Sequence, residues 1–327
     1  MSGERHGDAE LAERLAGLPG PRHRPAAAAV VTAEETRSAS LGAGLGADFE
    51  IGSIAKGITG LLYAEALARG EAGPGTPLGD LLPLADVPVG KVTLGSLSTH
   101  RSGLPSLPAA AQPFRRTVAL WRRGANPYGE DLEQLLEQAR SARLGRPRAR
   151  YSNFGFELLG HALGRAAGTT YAGLLRERIT EPLGLEDCYA PATPDELRAG
   201  AVTGSGRHGG FREAWTGEAI APAGGIRASI TDMARLTRAL LDGSAPGVAA
   251  LDPVAPFSMG MRIGAAWITM RAKERIVTWH NGGTGGFRSW LGLDREAGTG
   301  AVMLSATAAS VDRHGFALLG WKPAVEG

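Results

Sequence analysis

The sequence predicts an α+β fold. One antiparallel sheet draws strands from both chain ends, and a mostly helical middle forms a second lobe with a cleft between the two. Short β-rich runs near the start and again after residue 260 are one basis for this. The other is a set of amphipathic helical runs, broken by Pro and Gly, that fills the stretch between them. Pairing the first strands with the last ones is the economical way to bury both.

Residues 1–25, "MSGERHGDAELAERLAGLPGPRHRP", read as a short polar helix and a Pro/Arg-rich lead-in. "AAAAVVTAE" (26–34) and "TRSASLGAG" (36–44) read as two strands joined by a tight turn. From Ile54 the apolar positions fall at 54, 58, 61 and 62, which is helical spacing, and Gly70 stops that helix before the loop "GPGTP". Residues 75–150 hold many breaks with helical pieces between them, such as "GEDLEQLLEQARSA" (129–142). "FGFELLGHALGRAAG" (154–168) and "TYAGLLRERITEPLG" (170–184) read as two further helices. "SITDMARLTRALLDG" (229–243) opens on a Ser/Thr cap and closes at a glycine. "MRIGAAWITM", "RIVTWHNGG", "FRSWLGLDRE" and "TGAVMLSATA" then read as strands, and "HGFALLGWK" as a closing helix. The expected division is a lead-in over 1–25 and one domain over 26–327. Its sheet lobe takes about 26–56 and 220–327, and its helical lobe about 57–219.

The 327 residues are 43% hydrophobic and 21% charged, enough for a sizeable core. Net charge is +2, from 35 basic and 33 acidic residues without a charged block, so a nucleic-acid partner is not expected. The single cysteine, Cys188, allows no internal disulfide and reads as a small buried residue. The first 25 residues carry charges throughout and lack the apolar core of a leader, and no run suits a membrane span. A cytoplasmic protein with no membrane partner is expected.

Lysine occurs only at Lys56, Lys91, Lys273 and Lys322, because arginine has taken the surface role. Lys56 lies three residues after Ser53 at the head of an apolar helix, so both side chains share one face. An amine there can activate a serine oxygen, and the helix N-terminus favours a developing oxyanion. A capping serine beside a solvated lysine is the plain alternative.

Tyr151-Ser152-Asn153 directly precedes an amphipathic helix. A lysine nearby would pull the tyrosine pKa down and make it a proton carrier, and Asn153 could orient the lysine or a substrate amide. A capped turn is the alternative here. "WHNGGTGGFRSW" (279–290) puts His280 at the end of a β-like run before a glycine-rich segment. Such glycines let a substrate approach a strand edge whose N–H groups can hold an oxyanion. No G-x-S-x-G, H-E-x-x-H or G-x-x-x-x-G-K-[ST] occurs.

The order Ser-x-x-Lys, Tyr-x-Asn, His-x-Gly resembles the serine β-lactamase-like superfamily, on the side of class C β-lactamases, DD-peptidases and the related esterases and transacylases. "FEIGSIAKGIT", "LGSLSTHRSGLP" (94–105), "ITEPLGLEDCY" (179–189), "PAGGIRASITDMARL" (222–236) and "HNGGTGGFRSWLGLD" carry the likeness over roughly residues 26–310. The resemblance implies a β-lactamase-like fold and acyl transfer through a covalent intermediate, without cofactor or metal. It implies Ser53 as nucleophile, Lys56 as its proton-transfer partner and Tyr151 as general base. His280 stands where β-lactamases of this class usually have lysine. Asn153 would bind the substrate and Lys56. The backbone N–H groups of Ser53 and Gly283 would form the oxyanion hole, with Gly282, Thr284 and Arg288 beside the substrate. Asn281 replaces the Thr or Ser that often follows the Lys or His of this motif in the family.

The expected partners are a small acyl donor and an amine or alcohol acceptor; the oligomeric state is open. The expected activity is that of a cytoplasmic esterase, amidase or transacylase. A β-lactamase or DD-peptidase, or a silent binding protein on the same fold, are the other readings. Trp215, Arg288 and Trp290 are candidates for the cleft wall, because aromatics and arginine are favoured in pockets. His100 and His161 read as structural, and His6, His23, His208 and His314 have no assigned partners.

Overall fold

A computed structural model describes residues 4–17, 25–107, 118–120, 122–272 and 274–320. His23, Lys273, Lys322 and the end of the expected closing helix lie outside the described residues. The fold is built on a nine-stranded antiparallel sheet, in the order β1-β3-β2-β13-β12-β11-β10-β9-β8. Chain-end strands β2 (Ala26–Val31) and β3 (Thr36–Leu41) pair with each other, and β2 pairs with β13 (Thr299–Ser305). Next to β13 come β12 (Arg288–Asp294), β11 (Arg275–Gly283) and β10 (Ile268–Ala272).

Alternation along each strand feeds two cores. Ala27, Ala29, Val31, Leu291, Leu293, Val302 and Leu304 face the main core, whereas Ala28, Trp290, Ala301 and Met303 face a smaller one. The main core is covered by α2 (Ile54–Ala68) and α8 (Ile230–Asp242), the smaller one by α1 (Ala9–Ala16) and α9 (Asp312–Leu318). Residues 5–16 are thus part of the sheet lobe, unlike the lead-in expected from the sequence. β1 (Arg5–Gly7) adds an edge to β3, and Leu11, Ala12 and Leu15 of α1 are buried. Five of its eight residues are Ala or Leu, and the three that are buried share one face of the helix.

The middle of the chain holds α3 (Leu94–Ser98), α4 (Leu132–Arg140) and α5 (Asn153–Ala166). An Asp131/Gln134 capping box starts α4, and Ser152 caps α5 by accepting from Gly155 N. The expected helix over 170–184 is broken. α6 (Tyr171–Leu175) passes through a widened turn, where Glu181 N reaches Arg176 O, into α7 (Glu181–Leu183). Pro182 has no N–H to continue an α-helical ladder. "MRIGAAWITM" is likewise two strands: β9 (Arg262–Ile263) turns back into β10 through Gly264 N–Trp267 O, with Ala266 at φ 69°. The edge strand β8 (Ala255–Pro256) pairs with β9. A hairpin of β5 (Gly204–Ser205) and β6 (Phe211–Arg212) lies inside the stretch expected to be helical, tied to the end of β13 by Ser205 N–Ala306 O.

A separate two-stranded ladder positions the site. β4 (Asp48–Glu50) pairs with β7 (Arg227–Ser229) immediately before Ser53. The fully buried Arg227 guanidinium donates to Asp48 and Glu50 side chains and to the carbonyls of Asp48 and Val202. Nothing in the residue pattern of the sequence announced this buried cation.

Candidate active site

Ser53 sits at the N-cap of α2, yet its side chain makes no cap hydrogen bond. That removes the capping alternative and leaves the hydroxyl available. Lys56, one turn on and fully buried, donates from Nζ to Ser53 Oγ at 3.1 Å and to Ala223 O at 2.5 Å. Burial pushes the Lys56 amine down to about 7, against the pull of Glu157. A serine hydroxyl bonded to an amine that is part neutral at pH 7 can lose its proton.

Tyr151 precedes the start of α5, shares a hydrogen bond with Ser53, and has its ring 4.9 Å from Lys56 Nζ. The expected direction of its pKa is overturned: burial raises it, although the Ser53 hydrogen bond opposes this, so the phenol keeps its proton. Asn153 also departs from expectation. Its Nδ2 donates to Tyr128 Oη at 3.0 Å instead of meeting Lys56, and its buried Oδ1 has no partner among the described residues. Tyr128 stacks edge-on against Trp215, with ring centroids 4.6 Å apart, so these three residues form one unit. Tyr128 carried no signal in the sequence beyond being aromatic.

The end of β11 meets the Ser53 loop backbone to backbone. Gly52 has φ 51°, and a Cβ on it would lie 2.6 Å from Gly283 N. A Cβ on Gly282 would strike Ile51 O at 2.0 Å. Only glycine permits this approach, which brings the amide of Gly283 beside the turn that carries Ser53. Ser289 Oγ, one strand over, donates to Ile51 O at 2.7 Å and fixes the same loop.

His280 is buried, with Nδ1 2.6 Å from Asn281 O and Nε2 unpartnered among the described residues. The carbonyl can only accept, so Nδ1 carries the proton and Nε2 a free lone pair. Burial and then Lys56 push the ring down to about 4, so it is neutral at pH 7. Asn281 points to the other sheet face and donates to Asp312.

Arg288 and Trp290 do not line the serine side. Ser289 and Leu291 occupy the face toward Ile51 and the main core, while Trp290 packs into the smaller core, and alternation puts Arg288 on that opposite face. Arg288 Nη1 donates to the carbonyls of Thr284 and Phe287. Thr284 Oγ1 in turn accepts from Phe287 N, so both residues shape the turn after Gly283. His161 bonds the Glu218 carbonyl, and buried Cys188 is unpaired, as their structural readings anticipate.

Comparison with known proteins agrees with this assembly. Part of the chain, 153 residues, is 34% identical to the D-alanyl-D-alanine-carboxypeptidase/endopeptidase AmpH of Escherichia coli (strain K12), covering 45% of this chain and 38% of AmpH. Another 159-residue match is 30% identical to esterase EstB of Burkholderia gladioli, covering 46% of this chain and 40% of EstB. These matches span well under two thirds of either relative. Among solved structures, D-alanine carboxypeptidase AmpC from Burkholderia cenocepacia superimposes with TM-score 0.79 at 19% identity, over 95% of this chain and 97% of that one. A class C β-lactamase from Rhodobacter sphaeroides gives TM-score 0.72 at 21% identity, over 88% and 90%. The β-lactamase-like fold is shared with both. Residues 11–319 match the family described as Beta-lactamase, and the chain belongs to that family of serine hydrolases.

Proposed function

We propose that this enzyme transfers acyl groups through a covalent intermediate on Ser53, acting on small neutral esters or amides. The observation that carries the reading is the uncapped Ser53 hydroxyl held at 3.1 Å from the Lys56 amine. Neutral Lys56 takes the proton as Ser53 Oγ attacks the carbonyl carbon. The oxyanion forms toward the amides of Ser53 and Gly283. Tyr151 gives its phenolic proton to the departing group and is reprotonated from the Lys56 ammonium. The acyl-enzyme then passes its acyl group to water, an alcohol or an amine by the same steps in reverse order.

Neutral His280 favours substrates without a carboxylate next to the scissile bond, because its position offers a lone pair where a cation would be needed. The match to AmpH favours a second reading, D-alanyl peptide hydrolysis. The cytoplasm is the compartment we assign, and the unpaired Cys188 suits it.

Intact-protein mass spectrometry tests the proposal. Wild type and Ser53→Ala are each incubated with p-nitrophenyl acetate and with benzylpenicillin, alongside steady-state assays. An acetyl adduct or ester turnover on wild type alone supports it. A penicilloyl adduct alone moves the weight to the second reading. Equal behaviour of Ser53→Ala overturns both.

A further inference from the structure

His100 follows α3, and nothing in the proposed reaction uses it. It is buried, and it is a non-glycine residue with φ 56°, a left-handed conformation that costs energy and persists only where the surroundings enforce it. Its surroundings are the two neighbours of Tyr151. Arg150 N donates to His100 O at 2.9 Å, and Ser152 N donates to His100 Nδ1 at 3.2 Å. The imidazole also packs against the phenol ring, with centroids 4.5 Å apart and planes tilted by 35°. Phe156 closes the other contact at 4.7 Å. One residue therefore holds the backbone on both sides of Tyr151 and one side of its ring.

The left-handed turn is what permits this. It aims the carbonyl and the ring nitrogen of a single residue at amides two positions apart. The Ser152 contact also fixes the tautomer: Nδ1 accepts, so the proton sits on Nε2.

The geometry points to His100 as the positioning residue for Tyr151, holding the phenol at Ser53 by clamping residues 150 and 152 and stacking on the ring. This inference rests on the reading of Tyr151 as the proton carrier. Its action is through Tyr151, so its loss should lower kcat and leave substrate binding almost unchanged. A shift of about 1 Å in a reacting group costs on the order of 100-fold.

The test uses ester hydrolysis by the full chain carrying His100→Gly, His100→Asn or Tyr151→Phe, and by the double variant His100→Gly with Tyr151→Phe. Glycine relieves the left-handed strain but removes the acceptor and the ring. Asparagine tolerates that backbone and places Oδ1 where Nδ1 stood. Circular dichroism and thermal midpoints accompany each variant. The expected result is a kcat loss of about 10- to 100-fold for His100→Gly, KM within about threefold, and substantial recovery in His100→Asn. In the Tyr151→Phe background His100→Gly should cost nothing more. Full activity of a folded His100→Gly overturns the inference, as does a loss that adds in full to that of Tyr151→Phe. An active Tyr151→Phe overturns the underlying reading of Tyr151 instead. Should His100→Gly not fold, His100→Asn takes its place in the cycle: a kcat loss that adds in full to that of Tyr151→Phe overturns the inference, and a loss that vanishes in the Tyr151→Phe background supports it.

Discussion

Lys56 Nζ lies 3.1 Å from Ser53 Oγ in a fully buried position. Only the neutral amine can accept the serine proton. With Lys56 at about 7, kcat/KM should rise about tenfold per pH unit on the acid side and level off above neutrality. Arginine stays protonated, so Lys56→Arg should lose about 1000-fold or more in kcat and show no such limb. A pH–rate profile of both proteins checks this, and near-wild-type turnover of the arginine variant would count against Lys56 as the acceptor.

The same amine makes stability depend on pH. Between about 7 and the 10.5 of an ordinary lysine, the unfolded chain binds a proton that the folded chain does not. Lys56 therefore makes the fold more stable as pH rises through that window. Urea unfolding at pH 7 and 9, for wild type and Lys56→Met, should show the difference shrinking in the variant.

The contact between Gly282 and Ile51 O leaves no room for a methyl group. Gly282→Ala should push the Ser53 loop away from β11. The expected cost is about 2–4 kcal/mol in denaturant unfolding, with most ester activity lost even where the protein stays folded. Thermal and kinetic measurements on one preparation separate the two effects.

His280 is neutral above about pH 4. An ester carrying a carboxylate near the scissile bond should then react no better than its methyl ester, and KM should be nearly insensitive to salt. His280→Lys supplies the missing cation and should speed acylation by benzylpenicillin by about tenfold. Stopped-time mass spectrometry reads that rate, and equal rates in both proteins would detach carboxylate recognition from this position.

Arg227 supplies the charge that Asp48 and Glu50 face in the buried ladder ahead of Ser53. Arg227→Met removes one partner and leaves two carboxylates without it. A loss of about 3–5 kcal/mol is expected, partly recovered when Asp48→Asn and Glu50→Gln are added. Chemical denaturation of the single and triple variants measures it.

Much of this was legible in the residues. The runs at 26–41 and 275–305 read as strands because β-branched, aromatic and small residues recur between turn signals. Ser53, Lys56, Tyr151 and His280 stood out as reactive side chains at helix starts and a strand end, and the fold brings all of them to one place. What stayed hidden depends on tertiary neighbours. Whether Arg288 and Trp290 face the serine is decided by strand register, and a one-residue shift reverses it. The pKa direction of Tyr151 depends on burial, which outweighs the nearby lysine. Asn153 chooses Tyr128 because the fold brings a phenol from 25 residues earlier within reach. The role of residues 5–16 was masked by their polar composition, although Leu11, Ala12 and Leu15 already lay on one helical face.

The pairing of Ala26–Val31 with Gly300–Ser305 has a consequence for biosynthesis. The ribosome makes the second strand long after the first, so the sheet cannot close around its own centre until residues 300–305 have been made. Ser53 and Lys56 emerge early, but the amide of Gly283 and the strands that hold it arrive late. A nascent chain thus carries the Ser53–Lys56 pair before the strand that is to face it exists, so the proposed chemistry has to wait for the sheet to assemble.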